Sequence, residues 1–147
     1  MRLRPAVPQD GAMPDYNQQI ISEFRSNHGQ VGGNFAGAPV LLLHSTGAKS
    51  GQPRLHPMMY LAAESGGWYV FASKAGADTN PDWYHNLKAN PETQIEVGDE
   101  LIDVRASEVT GAERDRIYAE QARRYPGFAE YERKTSRTIP VIELTRR

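Results

Sequence analysis

Two short stretches of the chain carry the side chains best suited to chemistry. The first, residues 45–54, contains three hydroxyls, two glycines and the cations Lys49 and Arg54. Successive backbone N–H groups in a glycine-containing turn form a concave anion site, to which lysine adds a point charge and arginine a forked donor. The composition predicts a loop that holds phosphate or carboxylate, and an ordinary solvated hairpin turn is an equally weighted alternative.

The second stretch, residues 73–81, also begins with a hydroxyl and a cation, Ser73 and Lys74. It is glycine-containing and leads into a short helix that carries Trp83. If the strands before the two stretches pair, Lys49, Arg54 and Lys74 would lie around one cleft with Trp83 near its wall. The sequence thus predicts a single anion-binding cleft between two loops.

Other kinds of site lack their sequence patterns. There is no cysteine, and the four histidines do not have the spacing of metal ligands, so no metal site is predicted. His44 and His56 lie in predicted strands and are interpreted as structural. No G-x-S-x-G elbow, G-x-G-x-x-G motif or Walker loop occurs, which argues against a serine hydrolase, a nicotinamide site and a nucleotide triphosphatase.

The composition predicts one soluble domain. The chain has 147 residues and a formal net charge of -1, from 17 Lys plus Arg against 18 Asp plus Glu. That balance gives no global field for nucleic acid, and no apolar run reaches the length of a membrane span. We expect a flexible arm over residues 1–14, a single domain over residues 15–147 and a cytoplasmic location.

The N-terminal segment contains an amphipathic helix that starts near Asp15. Its apolar face comprises Tyr16, Ile20, Ile21 and Phe24. Packing of this face on the domain is the favoured interpretation. Peripheral membrane contact through residues 1–28 is the alternative, and the oligomeric state is left open.

The order of elements predicts an α+β fold that is mainly β. Six strands are expected, and tight turns join most of them, which excludes a doubly wound parallel sheet. A six-stranded antiparallel barrel with helices on its rim fits this order. The strands are Val40–Ser45, Arg54–Ala63, Trp68–Ser73, Thr93–Val97, Leu101–Val109 and Thr138–Leu144.

Helix signals accompany these strands. Asn80 is predicted to cap a helix whose first residue is Pro81, and Thr110 to Glu113 has the form of a capping box. A later helix places Tyr125, Phe128 and Tyr131 three residues apart, so their rings share one face. Those rings belong to the core or a lid on one interpretation, and to a ligand platform on the other.

Several motifs together resemble the deazaflavin-dependent nitroreductase and quinone reductase family. They are Gly47-x-Lys49-Ser50-Gly51-x-Pro53-Arg54-x-x-Pro57, Ala72-Ser73-Lys74-x-Gly76, Asn80-Pro81-x-Trp83-Tyr84-x-Asn86-Leu87-x-Ala89-Asn90-Pro91, Tyr125-Pro126 and Arg137-Thr138-Ile139-Pro140. The resemblance covers roughly residues 15–144. It implies a split β-barrel related to the FMN-binding oxidases, and it favours the anion-site interpretation of the first loop.

The resemblance also implies coenzyme F420, an 8-hydroxy-5-deazaflavin, and a role for each matching position. Lys49, Ser50 and Arg54, with Pro57 shaping the turn, would hold its phosphate and oligoglutamate tail. Ala72, Ser73 and Lys74 would lie along the ring and ribityl chain, in a groove lined by Trp83 and by position 59. Tyr125, Phe128 and Tyr131 would cover the substrate side, and Ser73, Tyr125 and Tyr131 are the candidate catalytic donors.

The implied reaction is hydride transfer to a hydrophobic quinone, nitro compound or activated enone. Where a nitroimidazole-reducing member of the family has tyrosines, this chain has Met59 and Phe128, so two hydroxyl donors are absent and a bulkier apolar acceptor is favoured. Two alternatives stand beside this interpretation. One is an FMN-dependent oxidoreductase on the same barrel, and the other is a non-catalytic carrier of coenzyme or lipid.

Overall fold

The computed structural model describes residues 14–32 and 37–147. The predicted N-terminal arm, residues 1–14, lies outside the described residues except for Pro14, with which a helix begins. In the described part of the chain, no helix is long and apolar enough to cross a membrane.

Four α-helices and seven β-strands are present in the described residues. The helices are α1 (Pro14–Ser26), α2 (Asp82–Ala89), α3 (Gly111–Arg124) and α4 (Gly127–Lys134). The strands are β1 (Val40–Thr46), β2 (Pro53–Met59), β3 (Leu61–Ala62), β4 (Trp68–Phe71), β5 (Glu92–Val97), β6 (Glu100–Val109) and β7 (Val141–Arg146). A short turn, Lys74–Gly76, lies between β4 and α2.

The strands form one antiparallel sheet in the order β2-β1-β5-β6-β7-β4-β3. Its two edge strands, β2 and β3, are separated in the chain by Tyr60 alone. Because Met59 and Leu61, only two positions apart in the chain, lie in opposite edge strands, the sheet must curl round into a half-barrel. The predicted antiparallel barrel is therefore confirmed.

The number of strands differs from the prediction by one. Residues 54–63 were predicted as a single strand, but the ladder breaks at Tyr60, whose N–H donates to the carbonyl of Pro39 at 3.2 Å. Pairing with β1 ends at Met59, and pairing with β4 begins at Leu61. Side-chain alternation cannot reveal a change of partner that leaves both halves extended, so the sequence showed one strand.

One predicted helix cap was wrong, and a second lacks its predicted hydrogen bond. Helix α2 begins at Asp82 with Pro81 at its N-cap, and the side chain of Asn80 instead accepts a hydrogen bond from Arg137 at 2.7 Å. Thr110 occupies the N-cap of α3 as predicted, but its side chain makes no capping hydrogen bond. The predicted strand bounds also shift, because β4 stops at Phe71 rather than Ser73, and β7 runs from Val141 to Arg146 rather than from Thr138 to Leu144.

The core has three parts. The barrel interior is apolar and is closed by Trp83, Tyr84 and Leu87 of α2. A second cluster joins α3 and α4 to β4 and β7, with Phe71, Tyr118 and Phe128 at its centre. A third lies beneath α1 against β1. The helices therefore cover the barrel on different sides, and each covers it with an apolar face.

Helix α1 packs on the domain. Ile20, Ile21 and Phe24 are 2%, 6% and 1% exposed, which confirms the favoured interpretation of its apolar face. Arg25 and His44 both bond the carboxylate of Glu96, at 2.6 and 2.7 Å. Burial acts to raise the pKa of Glu96, but the hydrogen bonds from Arg25 and His44 outweigh it and hold that pKa below its ordinary value.

Candidate active site

The loop between β1 and β2 is closed by its own backbone. Gly51 donates to the carbonyl of Gly47 at 2.9 Å, Gly47 donates to Gln52 at 2.8 Å, and Gln52 donates to the Ser50 hydroxyl at 3.1 Å. A Cβ on Gly47 would lie 2.5 Å from that hydroxyl oxygen, so a larger residue there would displace the Ser50 side chain from its place in the loop. The loop thus has a defined shape before any ligand binds.

Asn86 of α2 fastens this loop to the helix. Its side-chain oxygen accepts from the N–H of Ala48 at 2.9 Å, and its amide nitrogen donates to the hydroxyl of Ser45 at 3.2 Å. Asn86 is only 5% exposed. No role was predicted for Asn86, although an asparagine beside the buried helix positions Trp83 and Leu87 was the available signal.

A cleft of about 340 Å³ lies between the loop and the helix. It is lined by Gly47, Ala48, Lys49, Ser50, Arg54, Asp82, His85 and Asn86. The guanidinium of Arg54 lies 3.4 Å from the Ser50 hydroxyl. The structure therefore brings together the predicted residues Lys49, Ser50 and Arg54, and it adds groups from α2 that the prediction did not include.

Arg137 organises the second predicted stretch. Its guanidinium donates to the carbonyls of Ala72, Ser73 and Ala77 at 3.2, 2.9 and 2.8 Å, and to the side chain of Asn80. These carbonyls are 60 to 65 residues away in sequence. Arg137 was quoted only as part of a motif, and no local pattern could have revealed which backbone it would bind.

The turn held by Arg137 has an unusual backbone. Ser73 is in the right-handed helical region, while Lys74 and Ala75, with φ of 47° and 54°, are in the left-handed region, and Gly76 follows with φ of 84°. Left-handed conformations outside glycine cost on the order of 1–3 kcal/mol each and cluster at functional sites. A right-handed residue followed by a left-handed one aims successive N–H groups into one concavity.

The N–H groups of Ser73, Lys74 and Ala75 have no hydrogen-bond acceptor among the residues that the structure describes. The Ser73 side chain is buried, and Ala72 is fully buried. Lys74 is exposed, and its ammonium bonds the Thr79 hydroxyl at 3.3 Å. Lys74 is not among the residues that line the cleft, so the three predicted cations divide between the cleft and this turn.

Helix α4 packs directly against the turn. A Cβ on Gly76 would lie 3.0 Å from the Tyr131 carbonyl oxygen and equally close to the Lys134 side chain. The rings of Phe128 and Tyr131 are 5.2 Å apart in an edge-to-face arrangement. The backbone of α4 therefore lies directly beside the turn Lys74–Gly76, while its Phe128 ring points into the core.

The aromatic residues differ in how far they reach the surface. Phe128 is 8% exposed and touches Phe71 and Tyr118, so it belongs to the core of this region. Tyr118 donates its hydroxyl to the Phe128 carbonyl at 2.7 Å, and burial raises its pKa. Tyr125 and Tyr131 are half-buried, and their hydroxyls have no hydrogen-bond partner among the described residues.

The other predicted positions lie in the barrel wall. Pro57 and Met59 are half-buried residues of β2, and Met59 touches the clusters beneath α1 and beneath α3 and α4. Trp83 is 8% exposed and packs in the barrel interior. The cleft is lined instead by the opposite face of α2.

Comparison with known proteins identifies relatives that match most of this chain. The model of the family described as F420H(2)-dependent quinone reductase matches residues 17–146. An F420H2-dependent quinone reductase from Mycobacterium tuberculosis is 41% identical over an alignment 131 residues long that covers 84% of this chain and 85% of the relative.

Solved structures of other proteins have a similar fold. The F420-H2 dependent reductase FDR-A is 41% identical, with a TM-score of 0.64 over 72% of this chain and 93% of that one. The heme storage protein HutZ from Vibrio cholerae shares the fold at 17% identity, with a TM-score of 0.58 over 86% of this chain and 87% of that one.

Proposed function

Since the chain belongs to the F420H2-dependent quinone reductase family, we propose that it transfers hydride from the reduced coenzyme F420 to a hydrophobic quinone or a related electrophile. The observation that carries the proposal is the cleft between the β1–β2 loop and α2, in which Lys49, Ser50 and Arg54 face one space of about 340 Å³. Phosphate and carboxylate groups are the ligands that such a set of donors binds best.

The acidic part of the coenzyme fits this cleft. The loop is closed by its own hydrogen bonds and fastened by Asn86, so little conformational entropy is lost when an anion binds. Lys49 supplies a point charge, and Arg54 supplies a planar fork beside the Ser50 hydroxyl. Pro57 lies in the same strand as Arg54 and stiffens the segment that carries it.

The turn at Ser73 fits the polar edge of a ring. Its three N–H groups without acceptors offer a concave donor site for carbonyl oxygens that carry negative charge. The ammonium of Lys74 adds positive charge to the same turn. Arg137 holds the carbonyls of the turn on the other side, which keeps the N–H groups available for a ligand.

The acceptor side is assigned to α4 and the residue before it. When bound, the coenzyme supplies hydride as a two-electron unit, because a 5-deazaflavin has carbon where a flavin has the nitrogen that stabilises a radical. The protein orients the acceptor, excludes water and stabilises negative charge on the acceptor oxygen. Tyr125, Tyr131 and Ser73 are the donors proposed for that oxygen, and the absence of a hydroxyl at Phe128 and Met59 favours quinones and enones over nitroimidazoles.

The proposal is tested by binding and turnover of the purified protein. Coenzyme F420 should change its fluorescence on binding at micromolar concentration, and the reduced coenzyme should be oxidised when menadione is added without oxygen. Lys49→Ala and Arg54→Ala should each weaken binding by about tenfold or more, because each removes a charge-assisted contact. Arg123→Ala changes an exposed arginine that is paired on α3 with Glu120 and serves as the matched control.

Other outcomes would decide for the alternatives. A protein that purifies yellow with an ordinary flavin spectrum and does not bind F420 would be an FMN-dependent oxidoreductase on the same barrel. Binding of the coenzyme without any menadione-dependent oxidation would indicate a carrier. Absence of F420 binding at micromolar concentration would refute the proposal.

A further inference from the structure

Helix α2 contributes two groups to the cleft that the assignments above leave unused. Asp82 and His85 lie one helical turn apart, so both face the cleft from the same side. Asn86 is committed to Ala48 and Ser45. Asp82 has no hydrogen bond or ion pair among the residues that the structure describes, and the His85 ring has only an edge-to-face contact with Tyr84 at 5.3 Å.

The cations across the cleft are not neutralised by this pair. Lys49 lines the same space as Asp82, yet no ion pair joins them in the part of the chain that the structure describes. The contacts of Arg54 include the Ser50 hydroxyl and the Pro53 carbonyl on its own side of the cleft. The helix pair and the loop cations are therefore placed to contact a common ligand between them.

The charge of the cleft depends on His85. Lys49 and Arg54 are positive and Asp82 is negative at neutral pH, whereas imidazole side chains are the ones that ordinarily change charge between about pH 5 and pH 8. Lys88 and Glu108 are close to the Tyr84 ring but are paired with each other at 3.4 Å. Protonation of His85 thus raises the net charge of the groups that line the cleft from one positive unit to two.

We propose that His85 is a further coenzyme-binding residue, which makes the affinity for the anionic tail of F420 rise as the pH falls, while Asp82 limits that affinity at every pH. The inference rests on the proposed function. On this proposal, Asp82 and His85 of α2 adjust the affinity for the coenzyme. Lys49 and Arg54 of the loop supply an attraction that is the same at both pH values.

The test measures the dissociation constant of oxidised F420 by calorimetry at about pH 5.5 and pH 8, at low salt, where surface charges act most strongly. The coenzyme has titratable groups of its own, so each variant is compared with wild type at the same pH. From pH 8 to pH 5.5, wild-type affinity should rise about threefold to fivefold more than that of His85→Asn, as for a contact between partly exposed charges. His28→Asn, which changes an exposed histidine paired with Asp99, should keep the wild-type pH dependence.

Further outcomes separate the inference from the proposed function. Asp82→Asn should tighten binding at both pH values, because it removes a negative charge from the cleft at each. Identical pH dependence in wild type and His85→Asn would overturn the role of His85 while leaving F420 binding intact. Loss of binding in wild type at both pH values would instead overturn the proposed function.

Discussion

Replacement of Asn86 tests whether the cleft is a preformed site. Asn86→Ala removes two hydrogen bonds. One comes from the N–H of Ala48, an exposed residue, and the other goes to the hydroxyl of Ser45, a residue that is only 5% exposed. Water can replace the first partner but reaches the second poorly. A neutral hydrogen bond contributes about 0.5–1.5 kcal/mol, so the free energy of unfolding should fall by roughly 1–3 kcal/mol.

The same change should weaken coenzyme binding, although the side chain of Asn86 already makes its hydrogen bonds within the protein and does not need to contact the ligand. Without its bond to Asn86, the loop loses its fixed position and must be ordered when the ligand binds, which lowers affinity by about three- to tenfold. Urea unfolding gives the first quantity, and F420 fluorescence titration gives the second. Asn90→Ala changes an exposed asparagine at the end of the same helix and should leave both values within about 0.5 kcal/mol of wild type.

Asn86→Asp separates the two effects. The carboxylate can still accept from Ala48 N–H, and it can accept from the Ser45 hydroxyl, so most of the stability should be retained. The new negative charge among the groups that line the cleft should nevertheless weaken F420 binding. If Asn86→Ala unfolds at lower urea concentration but binds F420 as tightly as wild type, the preformed cleft is not what determines affinity and the reasoning is refuted.

Three more predictions concern the parts that support the site. Gly47→Ala should lower the free energy of unfolding by about 1 kcal/mol in urea, because the added Cβ would lie 2.5 Å from the Ser50 hydroxyl oxygen and would force it away from the N–H of Gln52; an unchanged midpoint would show that this hydroxyl does not stabilise the loop. Arg137→Leu should reduce F420 affinity by about tenfold or more, since the carbonyl of Ala72 loses its side-chain donor and the carbonyl of Ser73 keeps only the N–H of Gly76, and an unchanged dissociation constant would show that the turn orders itself. Glu96→Gln should lower the free energy of unfolding at neutral pH by about 1–2 kcal/mol. The folded pKa of Glu96 is below its ordinary value of 4.5, so the stability that its carboxylate contributes is present above pH 4.5 and is lost as the pH falls through the folded pKa. The free energies of unfolding of wild type and variant should therefore converge in acid.

The sequence predicted the strands well where turns mark their ends. The hairpin at residues 98–100 and the one at residues 64–67 each have flanking strands of alternating or aromatic residues, and both were found. The change of partner at Tyr60 was missed, because an extended backbone carries no local signal of which neighbour it pairs with. The register of β2 on β1 is likewise a property of the assembled sheet.

For the site, the sequence predicted the charged residues that line the cleft better than the residues that hold its loops in place. Lys49, Ser50 and Arg54 share a loop, and the structure places all three at one cleft. Trp83 was expected at its wall but packs in the barrel interior, because the apolar face of a short helix is the face that becomes buried. Asn86 and Arg137 act through bonds that span 38 to 65 residues of sequence, which no periodicity or spacing describes.

The position of Tyr60 has a consequence for how the chain can be altered. A nine-residue path from Pro53 to Leu61 begins at the cationic loop and ends on the opposite rim of the sheet. Lengthening that path by one residue would put β2 and β3 out of phase with their separate partners, and no slack exists between them to absorb it. Lengthening the exposed tip at Ser65 and Gly66, by contrast, would leave both rims where they are. New termini or inserted peptides should therefore be placed at that tip, and the direct connection of β2 to β3 through Tyr60 should be left unchanged so that both edge strands keep their pairing.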